Sequence, residues 1–525
     1  MHLARLRLAS PLLLVAAATC GGVDGTGSSP VALTADAMTV VVGQIATISV
    51  AGSATGLTWA VNGVTGGDTT VGRIDQNGHY TAPPLVPAQN PVKITAARTD
   101  GSGQGSVSVG VSPVPVSGVW SFSQPRVITP TMTAPIIFVT NGPPGTTRVD
   151  LVPGDGGQTV SLVALGGTLF QASLPVNRAM HGYATGDLHS FVGFLDYYAG
   201  GTRTMRGNLF ENVRDAGVPS VSVTSKAPDV QRSDHVVNIR YDTPILGGAI
   251  PADVPRRFYQ LFGDDYDFLG VVEQADVYAN RNYQGVKNSE SGFGASTFDR
   301  TASVGSAGRL LGLIDFPIGD LFDLGEKAAV HEIGHRWLVY LPPPFSLAGQ
   351  SHWPVSDLAY GIMGFSLAGG EGGEFNYTMT PSGADFVLHT QPPATHYNDL
   401  ELYLMGLAPA SEVGAHVVFQ NQNQQLSDGA VLHGPVTSFT IDDLIVAVGP
   451  RTPAFGQAPT SFSFGTIVLS AGRLLSPDEM AFFDFLAARG EATTPLHYTS
   501  GFAFGTTLPF ALATNGRGHL STVIH

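Results

Sequence analysis

Residues 323–344 read Asp323-Leu-Gly-Glu326-Lys-Ala-Ala-Val330-His331-Glu332-Ile333-Gly334-His335-Arg336-Trp-Leu-Val-Tyr-Leu341-Pro342-Pro343-Pro344. The stretch predicts a helix over 323–341. Asp323 and Glu326 have the spacing of a capping box, Ala328, Ala329 and Val330 supply an apolar run, and three prolines stop it. On a helix, residues four apart share a face, so His331 and His335 can offer two imidazoles to one metal ion. Glu332, one position along, falls beside such an ion, where a base for a water molecule belongs.

Working outward, the strand-like run Phe268–Val272, another over 309–314 and helix patterns from Pro255, over 397–407 and over 480–489 surround this motif. Ser476-Pro477-Asp478-Glu479 marks the start of the last of these helices. Residues 227–525 therefore read as one α+β domain. Upstream the pattern is all β. Residues 31–112 carry short strand runs separated by Gly, Asn and Pro, with Trp59 as a core aromatic and Asn77-Gly78 as a tight turn. Residues 118–225 repeat that character, with alternation at 136–139 and 148–152. The expected architecture is two all-β sandwich domains followed by the α+β domain.

Composition sets the outer limits. The chain has 525 residues, 43% hydrophobic and only 13% charged, which excludes a charge-rich disordered protein. A net charge of −15 argues against a nucleic-acid partner. The single cysteine, Cys20, excludes an intrachain disulfide and a zinc site of several thiolates. Any metal site must be built from His and carboxylate. Residues 1–20 have a basic start (Arg5, Arg7) and an apolar run from Leu8 to Ala18, too short to span a bilayer, so they read as an export signal. Residues 21–30 are a Gly/Ser-rich tether.

Three resemblances add expectations. Cys20, just after the apolar run and before Gly21-Gly22, resembles the lipidated cysteine of bacterial lipoprotein signals, which implies an envelope or extracellular location and membrane attachment through lipid alone. Residues 58–83 resemble bacterial immunoglobulin-like domains, a spacer or adhesive module. His331-Glu332-Ile333-Gly334-His335 resembles the motif of the zincin metallopeptidases in its metzincin form, and Tyr360-Gly361-Ile362-Met363-Gly364-Phe365 resembles the metzincin Met-turn. Leu338 and Leu341 stand where metzincins carry Gly and the third His, and Arg336 stands where they prefer an uncharged residue. The resemblance implies a zinc metalloendopeptidase acting on proteins or peptides, with Glu332 as general base and His331 and His335 as ligands. The third ligand is His352, from the loop after the prolines, or Glu401, from a later helix as in the gluzincins; His396 is a further candidate, and Asp399 a partner for a ligating imidazole. A non-catalytic envelope adhesin with a degenerate zincin domain is the alternative. Calcium is considered at Asp264-Asp265-Tyr266-Asp267 because hard oxygen ligands suit it.

Overall fold

The computed structural model describes residues 31–525 apart from short segments, the longest being 113–118, 175–188, 317–327, 367–375 and 498–505. The export signal, Cys20 and the tether lie outside the described residues, as do Asp323 and Glu326. Among the described residues no helix is long and apolar enough to cross a membrane.

The described residues are predominantly β. Over residues 33–112 two five-stranded sheets enclose one core. Trp59, Val61 and Ile94 face Ile48 and Tyr80 across it, all at most 2% exposed. Alternation places them there: Leu57–Val61 buries every second residue, so its inward set is fixed by the pleat. The Asn77-Gly78 turn is needed as it stands. Gly78 has φ +82°, and a Cβ there would lie 2.3 Å from the Ile48 carbonyl oxygen. A second pair of five-stranded sheets spans residues 120–213, around Phe138, Leu151, Phe170, Leu195 and Tyr197. One of its edges is completed by Asp276–Val277, from far along the chain.

The rest is organised by one mixed sheet. Its strands in chain order are β1 (Thr224–Ala227), β2 (Val230–Arg232), β3 (Val236–Arg240), β4 (Phe268–Val272), β5 (Asn282–Gly285), β6 (Gly312–Phe316), β7 (Ser461–Ser470) and β8 (His519–Ser521). Their spatial order is β1-β2-β3-β7-β4-β6-β5, with β8 also paired to β7. The central strands β3, β7, β4 and β6 are parallel, and β5 closes the edge antiparallel to β6. Parallel strands need cover on both faces, and the side chains alternate to supply it. Leu269, Val271, Ile467 and Leu469 face helix α1 (Asp253–Tyr259) through Val254 and Phe258. Phe268, Val272, Phe464 and Val468 face the other way, onto helix α2 (Ala328–Gly334) through Ala329, Val330 and Ile333. On that second face lie also α3 (Asp399–Leu404) and α4 (Pro477–Ala488). Both α3 and α4 open with a capping box, Asn398 with Glu401 and Ser476 with Glu479. Glu479 also accepts from the Arg126 backbone N–H at 2.9 Å, tying α4 to the second sandwich.

The helix expected over 323–341 is shorter than its sequence pattern. Helical hydrogen bonding runs out at Leu338, whose N–H donates to Gly334, and Val339 takes φ +70°. A β-branched residue in the left-handed region cannot continue a helix, so the turn precedes the prolines.

Candidate metal centre

Helix α2 carries His331 in its last turn, and His335 follows one helical hydrogen bond later, from its N–H to the His331 carbonyl at 3.3 Å. Their rings lie 4.9 Å apart centroid to centroid. His352 arrives from the loop beyond Pro344, its ring 5.1 Å from His331 and 5.6 Å from His335. One nitrogen from each of the three falls within 4.8 Å of the others. This is the one His, Cys, Asp and Glu grouping of that kind among the described residues.

Two of the rings are oriented by partners. The Ile362 carbonyl oxygen lies 3.0 Å from His331 Nδ1, which fixes the proton on Nδ1 and leaves the Nε2 lone pair directed inward. His352 Nδ1 lies 3.1 Å from both Ser366 Oγ and Ser351 Oγ. The Trp353–Phe365 bridge and a bond from the Ser366 N–H to the Trp353 carbonyl hold that loop against the segment after Met363. Burial, with the neighbouring His335 and His352 adding to it, holds His331 well below the usual imidazole range. His335 is pushed down to about 3, by burial first and His352 second. His331 and His335 are therefore neutral at pH 7, the form that ligates metal.

His331 Nε2 and His352 Nε2 are 3.1 Å apart. Two imidazole nitrogens on one tetrahedral zinc, at ~2.1 Å each, would sit about 3.4 Å apart. The donor set therefore fits a dication that prefers nitrogen ligands and leaves a fourth position open.

The segment 360–365 passes beneath the helix. Met363 is 1% exposed, and a Cβ on Gly334 would meet its sulfur at 2.7 Å. The glycine of the motif is thus the residue that lets the thioether lie against the helix backbone. The Tyr397 hydroxyl donates to the Val330 carbonyl, anchoring the helix one residue before His331.

Glu332 is 4% exposed, and burial pushes its carboxyl up to about 7. Arg281, just before β5, opposes this, its Nε 3.8 Å from Glu332 Oε1. Sequence reasoning missed Arg281, Ser366 and Tyr397, since nothing local marks them.

The rival ligand Glu401 is engaged elsewhere. Its carboxylate accepts from Trp353 Nε1 at 2.8 Å, Asn398 N–H at 2.9 Å, Met363 N–H at 3.2 Å and Ile362 N–H at 3.3 Å. It braces the loop carrying His352 and the turn carrying Met363 from behind. Burial pushes its carboxyl up, against the pull of these four donors. His396 contacts Thr395 and stands outside the triad. Asp399 turns away from the imidazoles of the triad: His416 lies between it and Asp357, at 3.4 and 3.3 Å. In the acidic cluster considered for calcium, Asp267 is taken by Arg309 and the Ser463 N–H, and Asp264 accepts from the Arg309 N–H.

No protein-family model matches the chain, and no curated protein matches it. Among solved structures, an ectodomain fragment of ICAM-5 is similar at 16% identity over 40% of this chain and 60% of that chain, TM-score 0.14. Murine CEACAM1b is similar at 10% identity over 35% of this chain and 100% of that one, TM-score 0.14. A tandem of titin domains is similar at 12% identity over 35% and 66%, TM-score 0.15. Scores this low carry no argument about the site.

Proposed function

We propose that the chain is a zinc-dependent hydrolase of peptide bonds, placed at or outside the cell envelope by its first twenty residues. The observation that carries the reading is the convergence of three imidazoles beside one buried carboxylate of raised pKa. His331, His335 and His352 would hold the ion. Zinc, when bound there, supplies the positive charge that polarises a carbonyl oxygen and acidifies a water molecule.

The chain's own groups do the rest. Glu332 accepts a proton from the attacking water and passes it to the leaving amine nitrogen. A base whose pKa sits near the working pH suits both transfers, and its burial gives it that value. Arg281, its Nε 3.8 Å from Glu332 Oε1, favours the ionised form of that carboxylate. Among the described residues β5 is the last strand of its sheet, the position along which an extended peptide would pair. The sandwich domains serve as spacers that hold this unit away from the surface.

The test uses purified wild type and Glu332→Gln, assayed for bound zinc and for cleavage of unfolded casein. Both should hold zinc, and only the wild type should cleave. Zinc in both with cleavage by neither would favour the adhesin alternative. Equal cleavage by both would remove Glu332 from its role.

A further inference from the structure

Two links fuse the second sandwich to the α+β domain. The first is a shared core. Arg126, between the sandwich strands Trp120–Gln124 and Val127–Ile128, is 7% exposed. Its N–H donates to Glu479 at 2.9 Å, its Nη1 donates to the Leu469 carbonyl of β7 at 3.3 Å, and its guanidinium lies 5.5 Å from the centre of the Phe483 ring on α4. Its own carbonyl accepts from Asn212 Nδ2, on the sandwich side, at 3.3 Å. Val127 pairs with Asn212 and packs in the core that holds Met480 and Phe483. Domains in one chain move against each other unless their interface is extensive and apolar. These two meet in one core, so the sandwich has no pivot there.

The second link runs to the candidate site. β4 ends at Val272, and four residues later the chain has joined the sandwich: Asp276 pairs with Ser121 and Val277 with Trp120. Gln274 pins the crossing. Its Nε2 donates to the Tyr241 carbonyl at 2.7 Å, and its Oε1 accepts from the Ile245 N–H at 3.3 Å. Four residues after Val277 stands Arg281, whose Nε is buried 3.8 Å from Glu332 Oε1. Asn282 then pairs with Asp315 of β6. Four residues span at most ~14 Å. Arg281 is thus held between two sheets, one of which belongs to the sandwich.

We infer that the second sandwich is a working part of the hydrolase, and that its strand Trp120–Gln124 positions Arg281 against Glu332. This rests on the hydrolase reading and goes beyond a spacer role for that sandwich. Arg281 is a positioning residue, acting on the reaction only through the base it faces. A misplacement of ~1 Å within a catalytic arrangement can cost ~10²-fold in rate. The strand pairing at Trp120 and Ser121 keeps Arg281 inside that tolerance.

The test uses the full chain. In metal-free protein at pH 8, urea midpoints are measured for Arg281→Gln, Glu332→Gln and the two combined. The shifts should not add, because both substitutions remove one contact. Val277→Pro deletes an N–H from the strand that joins the sandwich, and in that background the shifts should add. Val277→Gly, which weakens the strand and keeps the N–H, stands in if the proline variant does not fold, and should shrink the non-additivity. Trp120→Phe disturbs the sandwich core and keeps the backbone pairing, so there the non-additivity should persist. Additive shifts in the wild-type background overturn the proposal, as does non-additivity untouched by either Val277 variant or lost in Trp120→Phe. Zinc-loaded proteins are then assayed on peptides. Arg281→Gln and Val277→Pro should each lower kcat about fivefold or more, with KM within about twofold and zinc content unchanged. Arg281→Lys should recover most of the loss, and Arg281→Gln combined with Val277→Pro should lose no more than either alone. Full activity in Val277→Pro overturns the positioning role alone. No cleavage by wild type, with the urea cycle as expected, overturns the hydrolase reading and leaves the coupling of sandwich to Arg281 standing.

Discussion

Replacing Glu332 by Gln should make the metal-free protein more stable, not less, with the gain growing as pH rises from 4.5 to about 7 and constant above that. Burial raises the carboxyl from 4.5 to about 7 in the folded state. Between those values the folded chain keeps a proton that the unfolded chain releases, so stability falls as pH rises through that window. At 1.36 kcal/mol per pH unit, the displacement from 4.5 to about 7 is worth about 3 kcal/mol, lost in full by pH 8. The Glu332→Gln amide does not ionise and escapes the penalty. Arg281 loses its partner in the exchange, which reduces the gain to about 1–3 kcal/mol. The assay is urea unfolding of EDTA-treated wild type and variant at pH 5 and pH 8, followed by tryptophan fluorescence. Trp337 and Trp353 are buried beside the site and report on its domain. The two proteins should be nearly equal at pH 5, with the variant ahead at pH 8. In the zinc-loaded state, hydrolysis should fall by ~10²–10⁴-fold. A wild type that matches or exceeds the variant at pH 8 would refute the claim that burial of this base is an energetic cost.

Other outcomes follow from the same geometry. His352→Ala should lose stoichiometric zinc, measured by plasma emission, whereas Glu401→Gln should keep zinc and lose ~1–3 kcal/mol of stability through its disturbed donors. Gly334→Ala should cost ~1–3 kcal/mol and weaken zinc binding, because the added carbon lands on the Met363 sulfur. His416 is pushed up to about 9 between Asp357 and Asp399 despite its burial. Its contribution of up to about 3 kcal/mol is fully present below pH 6.5 and disappears as pH rises through about 9, so His416→Gln should differ from wild type at pH 6 and converge with it at pH 10. Trp59→Ala should cost the first sandwich ~3–5 kcal/mol, read by calorimetry, with zinc content unchanged.

What could be read from the chain was whatever lies close in sequence. The spacing of His331 and His335 is a property of one helical turn, and the cap at Ser476 is written within four residues. The runs at 136–139 and 148–152 both fall within strands, because the pattern of a strand is local to it. The role of Glu401 was not legible. Its partners are two backbone amides and an indole about forty residues away, and no side-chain pattern encodes an amide donor. Arg336 read as a misfit in a ligand motif, whereas its side chain turns toward Glu290, whose position depends on a separate loop. The extent of helix α2 was overstated because apolar residues continue past Gly334. They continue for packing, as Trp337, Leu338 and Leu341 all enter the core without remaining helical. β7 went unrecognised altogether, since a strand run does not declare its neighbours.

β7 occupies the middle of the sheet, between β3 and β4, yet it is made almost two hundred residues after β4. Until it emerges from the ribosome, β3 and β4 have no common neighbour, and the face on which α2 rests lacks Phe464 and Val468. Such distant pairing folds slowly and late. The three histidines are all synthesised more than a hundred residues earlier, but the scaffold that aligns them is not. A chain translated past His352 but short of β7 therefore carries all three histidines without the sheet that backs them, and the order of synthesis alone delays the assembly of the triad until β7 has been made.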